Sequence, residues 1–150
     1  MAHLEAGTKV PSFKTIDQNE NEVSDANLKG KKTVLYFYPK DDTPTCTTQA
    51  CNLRDNYDAL IKVGYQVYGV SPDKAAKHQK FIAKYDLLFY LLVDEDHSLA
   101  EAFGVWGLKK MYGREYMGIN RTTFVIDEEG TITEVIAKVK AKEHSTQILG

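Results

Sequence analysis

The chain has 150 residues, 43% of them hydrophobic, and its 19 lysines and arginines against 21 aspartates and glutamates leave a net charge of −2. That suits a single domain spanning 1–150 with a real core, and offers no basic excess for nucleic acid. No apolar stretch approaches the length of a membrane span and the N-terminus lacks the charged-then-apolar pattern of an export signal, so the expected location is the cytoplasm.

Periodicity predicts alternating elements. Residues 12–16 read as a first strand. Residues 33–38 read as a second, buried on both faces because the β-branched and aromatic run Thr33, Val34, Leu35, Tyr36, Phe37, Tyr38 is nearly unbroken. A helix follows over 44–63: Thr43 suits the N-cap, Pro44 the N1 position, Ala50, Leu53, Tyr57, Leu60 and Ile61 recur at helical spacing, and Gly64 ends it. Further strands are predicted at 66–71, 89–93, 122–126 and 132–136. Helices are predicted at 72–85, 97–103 and 142–149, with Ser71, Pro72, Asp73 and Ser98 as start signals. Residues 19–22 and 29–32 read as solvated loops, and 127–130 as the turn of a hairpin. Alternation first and a hairpin later gives an α/β fold, a mixed central sheet flanked by helices.

Both cysteines, Cys46 and Cys51, fall five residues apart where the strand 33–38 gives way to a helix. This is the layout of a redox-active thiol pair. Cys46 takes the N3 position, near the unpaired N–H groups of the first turn and the positive end of the helix dipole, with the Thr43 hydroxyl folded back within reach. A helix end alone contributes about 0.3–1 kcal/mol toward the charged form, so a reactive thiolate requires a further cation. Two cysteines in a reducing compartment argue for a cycling disulfide rather than a structural one. His3, His78, His97 and His144 are scattered without ligand spacing and read as surface residues or local caps, so no metal is expected; no organic cofactor is implied. Trp106 reads as core or rim packing.

Pro39, Thr43 and Cys46 match the pattern Pro-x-x-x-Thr-x-x-Cys, and in this the chain resembles the peroxiredoxins. The second cysteine five residues on, together with residues 104–107, 109–113 and 120–127 in the expected order, resembles the bacterioferritin comigratory protein or peroxiredoxin Q branch. The resemblance implies a thioredoxin fold with an N-terminal extension, a hydroperoxide substrate and a thioredoxin-like reductant. It implies that Arg121 is the missing cation beside Cys46 and Thr43, that Pro39 shields the site, and that Cys51 resolves a Cys46 sulfenic acid. Two positions depart from the pattern: Thr45 stands where the branch usually has glycine, and Gln49 where peroxiredoxins often have glutamate.

On a regular helix five residues turn through about 140° and rise about 7.5 Å. A disulfide needs Cα atoms about 4.4–6.8 Å apart and side chains that face each other. If Cys51 resolves, residues 43–53 must first unwind; the bond then forms within one chain, and a monomer is expected. Rival functions on such a chain are a thiol-disulfide oxidoreductase, which normally carries Cys-x-x-Cys, and a copper-binding relative, which wants Cys-x-x-x-Cys and a distal histidine. A non-enzymatic redox chaperone stays open.

Overall fold

The computed structural model describes residues 3–150. In chain order the elements are β1 (Lys14–Ile16), β2 (Glu22–Ser24), β3 (Lys32–Phe37), α1 (Pro44–Asp55), α2 (Tyr57–Val63), β4 (Tyr65–Ser71), α3 (Ala75–Tyr85) and β5 (Tyr90–Val93). They continue with α4 (Ser98–Ala102), β6 (Trp106–Met111), β7 (Arg114–Ile119), β8 (Thr122–Ile126), β9 (Ile132–Ile136) and α5 (His144–Leu149). The central sheet runs β5-β4-β3-β8-β9. Strands β3, β4 and β5 are parallel, β8 runs against them, and β9, antiparallel to β8, returns to their direction.

The unbroken apolar run of β3 follows from its place in the middle of this sheet, where both faces are covered. Leu35 and Phe37 point to one side, among Leu99, Ala100, Phe103 and Phe124. Val34, Tyr36 and Tyr38 point to the other, into a second cluster that contains Cys46, Ala50 and Leu53 of α1, Phe81 of α3 and Ile148 of α5. Tyr36 lies so close over β4 that a Cβ on Gly69 would meet its ring at 2.9 Å, so only glycine fits there.

Several elements differ from those the sequence predicts. The helix expected over 44–63 is two helices, because Asn56 leaves the helical region (φ −115°, ψ 18°) and its side-chain Nδ2 takes the Asn52 carbonyl oxygen that the backbone ladder would use. Gly64, at φ +100°, closes α2. The helix expected from residue 72 starts at Ala75, since Ser71, Pro72 and Asp73 form a turn in which the Ser71 hydroxyl and the Asp73 carboxylate bond each other. The helix expected over 142–149 begins as a 3-10 turn, Ala141–Glu143, before α5. The segment read as a loop at 19–22 is the end of the β1–β2 turn and the first residue of β2, Glu22, which pairs with Ile16, and the β6–β7 hairpin has no counterpart among the expected strands.

Candidate active site

Strand register places the site. Thr122, the first residue of β8, lies opposite Phe37, the last residue of β3. Arg121 therefore stands at the level of Tyr38, where the chain leaves β3 for the loop that starts α1. Helix α1 begins with Thr43 as N-cap (φ −88°, ψ 157°), Pro44 at N1 and Cys46 at N3, as the sequence predicts. Cys46 is 2% exposed and its sulfur is free.

Arg121 donates to the Cys46 sulfur from both terminal nitrogens, Nη1 and Nη2, each at 3.3 Å. A guanidinium is permanently charged and its fork offers parallel donors, so this contact stabilises a thiolate and leaves further N–H groups for an incoming oxygen. Nη1 also donates to Gln49 Oε1 at 2.6 Å. The structure thus brings Cys46 and Arg121 together. Thr43 differs in detail from expectation: its side chain makes no capping bond, and its hydroxyl donates backwards to the Lys40 carbonyl oxygen at 3.2 Å. Pro39 is half-buried in the same loop, and Thr45 is an exposed residue of the first helical turn.

The loop between β3 and α1 is fastened from behind by a buried polar network. Asp41 accepts from the Tyr38 hydroxyl at 2.5 Å and pairs with His78 Nδ1 at 2.6 Å, while His78 Nε2 donates to the Leu92 carbonyl oxygen at 2.8 Å. Because a carbonyl only accepts, Nε2 carries a hydrogen, and one further proton bridges Nδ1 and the Asp41 carboxylate. Burial and the neighbouring carboxylate push the Tyr38 phenol well above its usual range. Asp41 N–H donates to Asp73, and Asp42 holds Lys84 and Tyr85 of α3. Asp41, Asp73 and His78 bring donor atoms within 4.8 Å of one another, yet these groups already bond protein partners.

Two histidines read from sequence as surface residues or caps are wholly buried, His78 and His144, because each meets polar partners far away in the chain. His144 Nδ1 lies 3.2 Å from Gln49 Nε2 and its Nε2 lies 2.7 Å from the Thr123 hydroxyl. Burial, then the Arg121 charge, depress its pKa to about 3. His97 is an N-cap whose ring stacks on Trp106 at 3.7 Å, which makes Trp106 a rim residue. Cys51 is half-buried on α1 beside Asn52, Asp55 and Lys142.

A cysteine thiol held by a bidentate arginine at the start of a helix, on a sheet of this order, is the arrangement of a thiol peroxidase. The chain belongs to the AhpC/TSA family, whose model matches residues 6–135. Within it, the chain is 49% identical to peroxiredoxin Bcp of Bacillus subtilis, covering 97% of this chain and 93% of that one. It is 45% identical to peroxiredoxin Bcp of Escherichia coli, covering 99% and 96%. Xanthomonas campestris peroxiredoxin Q superposes with a TM-score of 0.86 at 34% identity over 91% of this chain and 87% of that one. A cysteine variant of Xylella fastidiosa PrxQ gives 0.92 at 29% over 99% and 95%. The fold is thioredoxin-like and the branch is that of bacterioferritin comigratory protein and peroxiredoxin Q. Among the described residues no helix is long and apolar enough to cross a membrane.

Proposed function

We propose that the chain reduces hydroperoxides through a two-cysteine cycle completed within one molecule. The Cys46 thiolate attacks one oxygen of ROOH; the O–O bond breaks, the departing alkoxide takes a proton, and Cys46 sulfenic acid plus ROH result. Arg121 stabilises the thiolate and the charge that develops on the peroxide oxygens. The Thr43 hydroxyl joins Arg121 in stabilising that charge, and Pro39, in the loop that leads into α1, shields the site from bulk solvent. The Cys51 thiol then attacks the sulfenic sulfur, expelling water and forming the Cys46–Cys51 bond, and an external dithiol of thioredoxin type reduces it by exchange.

The observation that carries this reading is the pair of 3.3 Å contacts from Arg121 to the Cys46 sulfur. The bacterioferritin comigratory protein of Xanthomonas campestris, which has alkyl peroxide reduction activity, is 34% identical to this chain, which supports organic hydroperoxides beside hydrogen peroxide as substrates. The cycle needs no second subunit, which favours a monomer, and it needs a reducing compartment, which favours the cytoplasm. Peroxide consumption by the reduced protein with a thioredoxin system tests the reading: Cys46→Ser abolishes it, and retained turnover in that variant contradicts it.

A further inference from the structure

Gln49 and His144 are both fully buried, and neither belongs to the Pro-x-x-x-Thr-x-x-Cys pattern. They form a chain of hydrogen bonds whose direction is set at one end. Arg121 has donors only, so the Gln49 group facing it at 2.6 Å is the amide oxygen. The Gln49 NH2 therefore faces His144 Nδ1, which must accept. The ring proton is then on Nε2, donated to the Thr123 hydroxyl of β8. The edge of the ring packs on Tyr36 of β3, with centroids 5.4 Å apart at 79°, which fixes its plane. Every link points away from the guanidinium, and the imidazole has to be neutral for the sequence to hold.

We infer that His144 is a positioning residue of the peroxidase reaction: its Nδ1 holds the Gln49 amide with the oxygen toward Arg121, which keeps both guanidinium nitrogens on Cys46. The residue does not touch the sulfur. It acts from α5, a helix near the end of the chain, across 95 positions of sequence, and it rests on the reading of Cys46 as the peroxide-reducing thiol. The amide supplies the arginine with an acceptor that carries no charge, so the guanidinium's positive charge stays available to the sulfur. A glutamate at 49 would divide that charge and would demand a proton on His144 Nδ1, reversing the order of donors. The titratable groups close enough to act on the site are Tyr36 of β3, Asp41 of the loop after it, Cys51 of α1, Lys109 of β6 and Arg121 itself, and the substitutions proposed below leave all five in place.

The test is a pH titration of Cys46 by thiolate absorbance in the reduced protein, with the peroxide rate measured beside it. In His144→Leu the Gln49 amide is free to turn, and the Cys46 ionisation constant and the peroxide rate each fall about fivefold, the loss of one hydrogen bond's worth of orientation. His144→Asn restores an acceptor where Nδ1 stood and recovers most of both. His144→Gln reaches the Nε2 position instead, does not rescue, and serves if the leucine variant fails to fold. In a Gln49→Ala background His144→Leu has no further effect on the titration. A thiolate titration unmoved by His144→Leu and His144→Gln while the melting temperature drops makes His144 merely structural and overturns the inference, as do effects that add across the double variant. If wild-type protein showed a normal thiolate titration and no fast peroxide reaction, the functional reading would fail while the His144 link remained measurable.

Discussion

Cys46 and Cys51 lie on one uninterrupted helix, the first buried and the second half-exposed, with about 140° of rotation between them. They cannot bond while α1 is regular. The proposed resolution by Cys51 therefore requires that oxidation exchange helix for disulfide. Amide hydrogen exchange over residues 44–53 is expected to be slow in the reduced protein and fast in the oxidised one, with the central sheet unchanged; equal protection in both forms contradicts the proposed resolving step.

Unwinding of α1 has to break its ties to the end of the chain. Asn52 makes two of them, donating from Nδ2 to the Lys142 carbonyl oxygen at 2.9 Å and accepting from Ser145 N–H at 2.8 Å. Asn52→Ala is expected to speed disulfide formation after peroxide by about tenfold, from two bonds of roughly 1 kcal/mol each partly lost in the transition state. The sulfenic acid is then shorter-lived, so sulfinic acid at high peroxide decreases by mass analysis. The first step, peroxide attack, keeps its rate.

Arg121→Ala is expected to slow peroxide attack by roughly 10²–10³-fold, the scale set by losing a preorganised donor to developing charge. Arg121→Lys should recover little of it. A single ammonium cannot donate two bonds to the sulfur and one to Gln49 in the geometry seen here. Stopped-flow peroxide kinetics of the two variants distinguish loss of charge from loss of shape.

His144 also sets a pH dependence of stability. Its folded pKa of about 3 lies below the unfolded value of 6.5, so between those pH values the unfolded chain binds a proton that the native one refuses. Stability attributable to this site is unaffected above pH 6.5 and falls as pH drops toward 3, by about 1.4 kcal/mol per pH unit. Denaturant titrations of wild type and His144→Asn should diverge in slope across that window, and parallel curves would contradict the burial argument.

The Asp41–His78 pair is wholly buried, and removing one member strands the other. His78→Leu is expected to cost about 3–5 kcal/mol, lowering the melting temperature by about 10 °C. A loss below about 1 kcal/mol would mean that the pair contributes nothing beyond its packing.

Much of this was legible in sequence wherever the signal is local. The strands at 122–126 and 132–136 coincide with β8 and β9, and the Thr43, Pro44, Cys46 order falls where the helix starts. The β6–β7 hairpin escaped because it is a mostly exposed two-stranded arm. Its turn puts Tyr112 and Gly113 at φ 52° and 77°, a primed turn that tyrosine at its first position disguises. The buried histidines escaped for another reason. His78 meets a carboxylate 37 positions away and His144 an amide 95 positions away, and no spacing rule along the chain encodes either contact. The break at Asn56 depends on a side chain competing with the helix ladder, which periodicity does not see.

The most direct measurement is a stopped-flow peroxide titration of the reduced protein followed by intact-mass and peptide analysis. A fast reaction that leaves the chain about two mass units lighter, with one intramolecular Cys46–Cys51 bond, is the expected result. Slow oxidation of both thiols without preference, or a Cys46 that stops at sulfenic acid while Cys51 stays free, would contradict the two-cysteine cycle.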